Sequence, residues 1–323
     1  MLYENDAARE IEREMSLVLD GAQMKKLHEC LARVVGKRNS KTPSNEDLLE
    51  DFLNAKTVEG CSSRTIQYYS VTLVHFVRFL TKPLYATETT DVRSYLALRG
   101  ESGTVSNVTL DNIRRIISSF FSWLEEEEVI YKSPVRRIKK IRSVVAVKPV
   151  ITDEEMEFIR DACGNPRDRA IVDLLASTGM RVGELVRLNR EDIDFEKREC
   201  IVHGKGNKQR KVYFDAKAKI HLQSYLRRRS DSNPSLFVSL KSPFRPLNIS
   251  GVESRLRDIG RNAAGLRLHP HKFRRTMATR AIDKGMPIEQ VQVLLGHSKI
   301  DTTLCYAMVD QQNVKRSHCK YIS

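Results

Sequence analysis

The sequence predicts a mainly α-helical protein with a small β-sheet, in which an all-helical domain precedes a mixed α/β domain. Apolar residues recur at three- and four-residue spacing through most of the chain, which is the period of an amphipathic helix. Two short β-like runs, 200–203 and 212–214, flank a Gly-Lys-Gly-Asn turn and indicate a hairpin. The 323 residues and 41% hydrophobic content suffice for two separate cores.

The chain divides into five predicted segments. We expect a helical extension over 1–44, a helical domain over 45–132, a basic linker over 133–149, a second domain over 150–310 and a tail over 311–323. The extension alternates acidic and basic side chains around helically spaced apolar residues, which predicts one or two helices.

Four helices are expected in the first domain, and each has a recognisable start. Asn45 is expected to cap the first helix and Ser62 or Ser63 the second, because these side chains accept hydrogen bonds from the first turn. Thr90 is expected to open the third helix, and the glycine-containing turn at 100–103 leads into the fourth.

The predicted linker is strongly basic and contains no acidic residue between 133 and 148. A segment that follows a phosphate backbone has this composition, although a solvated connector fits it as well. We expect DNA contacts from four of its side chains: Arg136, Arg137, Lys139 and Lys140.

The second domain begins at a capping box, in which Thr152 caps a helix and Glu155 reaches back to it. A buried helix is expected over 167–175, followed by the hairpin. Further helices are expected near 216–229, 248–263, 272–284 and 287–296.

Charge and composition restrict the partners and the compartment. The formal net charge of +14 and pI of about 9.5 predict a polyanionic partner, but they do not separate DNA from RNA or an anionic membrane. The sequence has no long apolar run and an acidic amino terminus, so we expect a cytoplasmic protein. The six scattered cysteines match no zinc spacing and are interpreted as reduced.

A spaced set of polar residues suits attack of a tyrosine hydroxyl on a phosphodiester. The transition state carries extra charge on the nonbridging oxygens, and a guanidinium can meet that charge with two hydrogen bonds. Arg181, after a predicted helix-ending Gly179, and Arg274 are the candidates. His271 lies three residues before Arg274, so one helical turn presents both toward one site.

The remaining roles go to a lysine, a histidine and a tyrosine. Lys205, on the glycine-flanked hairpin, is the candidate acid for the departing 5′ oxygen, and Lys208 is its competitor. Tyr306 is the candidate nucleophile, with His271 as the base that takes its proton. His297 follows a helix that is expected to end at glycine, and we expect it to contact phosphate.

Two other kinds of site are not indicated. His269 and His271 have no Asp, Glu or Cys at ligand spacing, so they make a weak metal site. The Gly204-Lys205-Gly206 turn lacks the framework of a nucleotide-binding loop. We therefore expect neither a metal nor another cofactor.

At these residues the chain resembles the tyrosine recombinases of the phage-integrase and Xer family, over about residues 45–310. The resemblance is carried by five motifs in order: Thr178-Gly-Met-Arg181-Val-Gly-Glu184-Leu185, Gly204-Lys205-Gly-Asn-Lys208, His271-Lys-Phe-Arg274, Leu294-Leu-Gly-His297 and Thr302-Thr-Leu-Cys-Tyr306. It implies that Arg181, Lys205, His271, Arg274 and His297 activate the phosphate and that Tyr306 is the nucleophile. One departure is Arg275, where many relatives have a histidine.

The resemblance also implies a helical core-binding domain and a catalytic domain that clamp DNA from opposite faces. Its implied partners are double-stranded recombination sites and further copies of the chain, with a tetramer on two DNA sites and an accessory protein left open. Additional DNA contacts are expected from Lys208, Arg210 and Arg275.

Two alternative functions stay open from the sequence. A type IB topoisomerase uses a similar residue set and would relax supercoils without pairing two sites. A DNA-binding regulator that has lost catalysis is the second alternative, although all six catalytic positions are filled. Integration, excision, inversion and resolution differ in the arrangement of sites, so the sequence does not separate them.

Overall fold

The computed structural model describes residues 6–36, 43–101, 103, 105–143, 149–204, 209–297 and 300–304. The chain forms two compact units, Met1–Ala146 and Val147–Ser323. Helices dominate both units, and a three-stranded sheet lies in the second, so the predicted fold class is confirmed. The exact limits of the five predicted segments stay a prediction.

The first unit is helical throughout its described part. Its helices are α1 (Asp6–Met15), α2 (Gly21–Gly36), α3 (Asn45–Val58), α4 (Ser63–Phe79), α5 (Thr89–Glu101) and α6 (Asn107–Glu126), with 3₁₀ turns at Leu84–Ala86 and Pro134–Arg137.

An aromatic core holds α3 to α6 together. Phe52, Phe76, Phe120 and Phe121 are fully buried. The ring of Phe52 lies 5.0 Å from that of Phe120 and 5.6 Å from that of Trp123, in tilted arrangements that aromatic pairs favour. The apolar periodicity of the sequence therefore marks the residues that meet inside this unit.

One predicted cap in this unit is wrong. Ser44, not Asn45, caps α3, and it forms a capping box with Asp47. The side chain of Asn45 instead accepts a hydrogen bond from the backbone of Leu84 at 2.8 Å and donates one to Lys82 at 3.2 Å. Either residue can cap a helix, and the long-range contacts of Asn45 decide between them.

The second unit combines helices with the small sheet. Its elements are α7 (Asp153–Asp161), α8 (Pro166–Thr178), α9 (Val182–Leu185), β1 (Ile193–Asp194), β2 (Glu199–His203), β3 (Gln209–Tyr213), α10 (Ala216–Arg227), α11 (Ile249–Asn262), α12 (Pro270–Asp283), α13 (Ile288–Leu295) and α14 (Asp301–Leu304).

The sheet is antiparallel, in the order β1-β2-β3. The predicted hairpin is present, with Val202 opposite Arg210 and His203 opposite Gln209. Strand β1 was not predicted from the sequence, because two residues are too short to show alternation.

Helix α8 is the centre of this unit and packs against α10 and α12. It is buried on all sides, which is the pattern of a helix inside a core. Its buried carboxylate Asp173 is paired with Arg160 at 2.7 Å and His221 at 2.5 Å, so its charge is compensated.

Two glycines end the helices next to the predicted site residues. Gly179 follows α8 with φ of 59°, and Gly296 follows α13 with φ of 64°. Side chains with a Cβ rarely adopt this left-handed conformation, so both helices stop where the sequence predicted. Arg181 lies two residues after the first stop, and His297 directly follows the second. Among the described residues, no helix is long and apolar enough to cross a membrane.

Candidate active site

Three predicted site residues line a single cleft in the second unit. Arg181, His271 and Arg274 face a cavity of about 310 Å³, together with Arg187 and His203. His271 lies in the first turn of α12 and Arg274 one turn later, which is the arrangement expected from their spacing. The cleft therefore gathers the positive charges of Arg181 and Arg187, which flank α9, and of Arg274 on α12.

Arg274 lines this cleft but is buried, with 2% of its surface exposed. Its Nη1 donates to the carbonyl of Gly179 at 2.8 Å, and its Nη2 donates to the carbonyl of Leu295 at 2.6 Å. The same Nη2 lies 2.8 Å from Nε2 of His297. The guanidinium thus joins the ends of α8 and α13, and it has little freedom to move.

The hydrogen bonds of His297 define its tautomer. Arginine can only donate, so Nε2 of His297 accepts from Arg274 and the ring proton is on Nδ1, 2.9 Å from the hydroxyl of Thr303. Burial, followed by the positive charges of Arg274, Arg181 and Arg210, lowers the pKa of His297 to about 4. The imidazole is therefore neutral at pH 7.

Arg181 is fixed by the carboxylate of Glu184. The backbone N–H of Arg181 donates to Oε2 of Glu184 at 2.8 Å, and its Nη1 donates to Oε1 at 3.0 Å. Its Nη2 donates to the carbonyl of Gly296 at 3.2 Å. Because 39% of the side chain stays exposed, Arg181 can still reach a group in the cleft.

Glu184 is itself buried and held by a second arginine. Nη1 and Nη2 of Arg210 donate to its two oxygens at 2.6 and 2.8 Å. Burial raises the pKa of Glu184, but the hydrogen bonds from Arg210 and Arg181 outweigh it and hold the pKa below its ordinary value. Glu184 is therefore ionised beside the cleft.

Arg210 and Arg275, which were both predicted to contact DNA, have hydrogen-bond partners within the protein. Arg210 binds Glu184 and the carbonyl of Leu294, and its side chain is 13% exposed. Nη2 of Arg275 donates to the carbonyl of Pro149 at 2.6 Å. A DNA-contacting role for either residue stays a prediction.

The other predicted site residues are not in this cleft or lie outside the described residues. Lys205, Lys208 and Tyr306 belong to the second group. The predicted linker contacts belong to the first unit, where Arg136 pairs with Glu125 at 3.0 Å and remains 61% exposed. Their contribution to DNA binding stays a prediction.

Three residues at the site had no role predicted from the sequence. Glu184 could have been recognised from its position three residues after Arg181 at a helix start, where an acidic side chain reaches back to the backbone. Arg187 donates to the carbonyl of His203 at 3.2 Å, and both line the cleft. Their proximity depends on the packing of α9 against β2, which no local pattern reports.

Metal ligands do not cluster at this site or elsewhere in the described structure. Within the part of the chain that the structure describes, no group of three or more His, Cys, Asp or Glu residues is arranged to hold a metal ion.

Two family models match this chain. The model of the phage integrase family matches residues 149–313, and a model described as a phage integrase N-terminal SAM-like domain matches residues 48–130. The first alone covers more than half of the chain.

Curated relatives and solved structures agree with these matches. Tyrosine recombinase XerC of Staphylococcus aureus (strain JH9) is 31% identical over 281 residues, which covers 83% of this chain and 93% of that protein. XerH bound to a palindromic difH substrate has a TM-score of 0.68 and 21% identity, over 98% of this chain and 95% of that one. A lambda integrase dimer bound to a COC′ core site has a TM-score of 0.67 and 19% identity, over 88% and 85%.

The sequence relatives show the family, and the solved structures show the same fold. The chain therefore belongs to the phage integrase family and is a tyrosine recombinase, an enzyme that breaks and rejoins DNA strands.

Proposed function

We propose that this enzyme is a site-specific recombinase that acts through a 3′-phosphotyrosyl intermediate, without metal or ATP, in integration, excision or resolution of DNA. The observation that carries the proposal is the hydrogen-bonded link between Arg274 and His297, with Arg181 in the same cleft. This arrangement presents fixed positive charge to one small volume, which suits a phosphoryl group that gains charge during displacement.

In the proposed first step, the phenolic oxygen of Tyr306 forms a bond to the scissile phosphorus, and the bond from phosphorus to the 5′ oxygen breaks. The phenolic proton goes to His271, and the 5′ oxygen takes a proton from Lys205, with Lys208 as the alternative donor. Bond energy is kept in the phosphotyrosyl link, so a 5′ hydroxyl from another strand can reverse the step and rejoin DNA.

Arg181 and Arg274 supply the charge that stabilises the transition state. Both guanidiniums are held by backbone carbonyls, so little reorganisation is needed when the phosphate enters. His297 is neutral before DNA binds, and an entering phosphate raises its pKa because an anion favours the protonated ring. Once Nε2 is protonated, His297 no longer accepts from Arg274 and can donate a hydrogen bond to a phosphate oxygen instead.

The proposed partners are double-stranded recombination sites and further copies of this chain, assembled as a tetramer on two sites in the cytoplasm. The net charge of +14 supports binding to a polyanion. The related XerH and lambda integrase structures contain DNA substrates, which supports the same kind of partner here.

Covalent capture tests the mechanism and identifies the target sequence in the same experiment. The full chain is incubated with a pool of nicked duplexes carrying randomised half-sites, and DNA that stays attached to protein after denaturation is sequenced. We expect enrichment of one motif with 3′ attachment, in EDTA and without ATP. Tyr306→Phe should bind the enriched duplex but form no adduct.

Two outcomes would overturn the proposal. An adduct that persists in Tyr306→Phe would exclude Tyr306 as the nucleophile. Relaxation of supercoiled plasmid by a monomer, without pairing of two captured sites, would instead support a type IB topoisomerase.

A further inference from the structure

Three consecutive carbonyls at the end of α13 are each bound by a different arginine. Arg210 Nε donates to the carbonyl of Leu294 at 3.0 Å, while Arg274 and Arg181 donate to the next two carbonyls at 2.6 and 3.2 Å. The last carbonyls of a helix lack intrahelical partners. Here arginines bind these carbonyls directly before His297. The contacts therefore fix the position of the backbone from which the His297 side chain extends.

Arg210 has a different position from the other two arginines. Arg181 and Arg274 line the cleft, whereas Arg210 lies behind Glu184 with 13% of its side chain exposed. Its fork meets both oxygens of Glu184, the carboxylate that also holds the backbone and guanidinium of Arg181. Arg210 therefore holds Arg181 indirectly, through Glu184. It also binds the carbonyl of Leu294, three residues before His297.

The packing against Gly296 is equally close. A Cβ at Gly296 would lie 2.9 Å from Cδ of Arg210, so the aliphatic part of the arginine fills the space that a side chain would occupy. Arg210 is thus fixed by a carboxylate, a carbonyl and a glycine surface. Glu184 lies in α9, which begins directly after Arg181, and Leu294 and Gly296 lie just before His297.

Arg210 also belongs to the predicted lysine hairpin. It lies in β3 opposite Val202, two positions after residues 205–208, which lie outside the described residues. Strand β3 is therefore tied through one side chain to Glu184 and to α13. No other described residue of β3 has a side-chain hydrogen bond to both of these elements.

We propose that Arg210 is a positioning residue of the recombination reaction, which locks the lysine hairpin to Glu184 and to the end of α13 and so sets Arg181 and His297 in place before DNA binds. The inference rests on the proposed function for its kinetic consequences. It assigns Arg210 no contact with the scissile phosphate.

An arginine is needed for this role because the contacts diverge. Two nitrogens meet one carboxylate in parallel while the third reaches a carbonyl, and a lysine ammonium cannot reproduce this planar fork. Lysine would keep the charge beside Glu184 but lose the link to Leu294. Glutamine would lose both the charge and the fork.

The test compares Arg210→Gln and Arg210→Lys with Lys211→Gln in the full chain. Lys211 is a matched control, since it follows Arg210 in the same strand, is 54% exposed and pairs with Glu199 on the adjacent strand β2. The substrate is the nicked duplex recovered by covalent capture. Cleavage rate at saturating DNA and the dissociation constant for DNA are measured separately.

We expect Arg210→Gln to slow cleavage about 100-fold, because misplacing groups by about 1 Å has effects of that order. DNA affinity should change less than about 3-fold, Arg210→Lys should recover part of the rate, and Lys211→Gln should match the wild type. Weakened DNA binding with an unchanged saturated rate would overturn the proposal and make Arg210 a DNA contact.

A second readout needs no DNA and stays informative if the proposed function fails. The pKa of His297 is followed by NMR in the wild type and the variants, with His297→Gln used for assignment. Loss of the Arg210 charge alone would raise this pKa, so Arg210→Lys, which keeps the charge, carries the comparison. We expect the pKa to shift in Arg210→Lys and to be unchanged in Lys211→Gln. An unchanged His297 titration in Arg210→Lys would overturn the proposal.

The same variants distinguish a folding defect from a failure of the proposed function. If Arg210→Gln does not fold, Arg210→Lys still tests the fork: a wild-type rate and wild-type His297 titration in that variant would overturn the proposal. If the wild type forms no adduct on any captured duplex, the proposed function fails, while the NMR comparison still decides whether Arg210 positions His297.

Discussion

Nη2 of Arg274 and Nε2 of His297 lie 2.8 Å apart, so two site residues that are 23 positions apart in sequence share one hydrogen bond. Because arginine cannot accept, the histidine must be neutral in this arrangement. The positive charge in the cleft therefore comes from the arginines before DNA enters. In the proposed mechanism, His297 gains its second proton only when the phosphate arrives.

The neutrality of His297 predicts a pH-dependent stability. Its pKa is about 4 in the folded protein against an ordinary value of 6.5, so the unfolded chain binds this proton more readily. The contribution is fully present above pH 6.5 and is lost as the pH falls toward 4. After allowance for partial exposure we expect a loss on the order of 1 kcal/mol.

Urea denaturation between pH 7.5 and 4.5 measures this contribution. His297→Gln should show a smaller decrease in the free energy of unfolding over the same range, since its side chain does not titrate. Equal decreases in both proteins would show that His297 is not held neutral by the fold.

The hydrogen bond from His297 to Thr303 predicts a separate effect on catalysis. Thr303 is fully buried, its hydroxyl lies 2.9 Å from Nδ1, and it precedes Tyr306 by three residues. Thr303→Val removes the acceptor for the Nδ1 proton, and we expect about a 10-fold loss of cleavage rate, as for one neutral hydrogen bond. Thr303→Ser keeps the hydroxyl and should retain most of the rate. Equal rates for the Val and Ser variants would show that this hydrogen bond does not orient His297 for cleavage.

Gly296 is expected to tolerate no side chain, for two reasons that a control can separate. Its φ of 64° is strained for alanine, and a Cβ there would displace Arg210. Gly265 has φ of 73° with open space around its Cβ position, so Gly265→Ala reports strain alone. We expect Gly265→Ala to lower stability by about 1 kcal/mol without affecting cleavage, and Gly296→Ala to lower both. Normal cleavage by Gly296→Ala would show that Arg210 can move without consequence.

Local sequence patterns predicted most of the helices, because the interactions that start and end a helix are made between residues close together in the chain. Apolar spacing, capping residues and the glycine stops at Gly179 and Gly296 all act within a few residues of the chain. The start of α3 shows the limit: Ser44 and Asn45 are both good caps, and only the distant backbone of Leu84 assigns Asn45 to another partner. Competition of this kind is invisible in a single sequence.

The candidate site also combines residues that local motifs predict with residues that only long-range packing brings together. The shared location of Arg181, His271 and Arg274 could be predicted from their motifs, and all three line one cleft, while their catalytic roles stay a prediction. The role of Arg210 was not predictable, since a basic residue after a basic hairpin equally suggests a DNA contact. Its partner Glu184 is 26 residues away, and only the packing of β3 beside α9 and α13 brings the two together.

Arg136 and Arg275 were both predicted to contact DNA, and their environments now predict different behaviour. Arg136 is 61% exposed and pairs only with the partly buried Glu125 among its described ion pairs, whereas Arg275 donates to the carbonyl of Pro149. Removal of one contact with a phosphate should reduce the dependence of log affinity on log salt concentration by about 1. We therefore expect Arg136→Gln to flatten the salt dependence by about that amount and Arg275→Gln to leave it unchanged. A duplex of arbitrary sequence suffices, because the salt term arises from phosphates rather than bases.

Arg275→Gln should instead lower the free energy of unfolding by about 1 kcal/mol, through loss of its hydrogen bond to the carbonyl of Pro149. A flattened salt dependence in Arg275→Gln would mean that this side chain leaves Pro149 and binds phosphate when DNA is present.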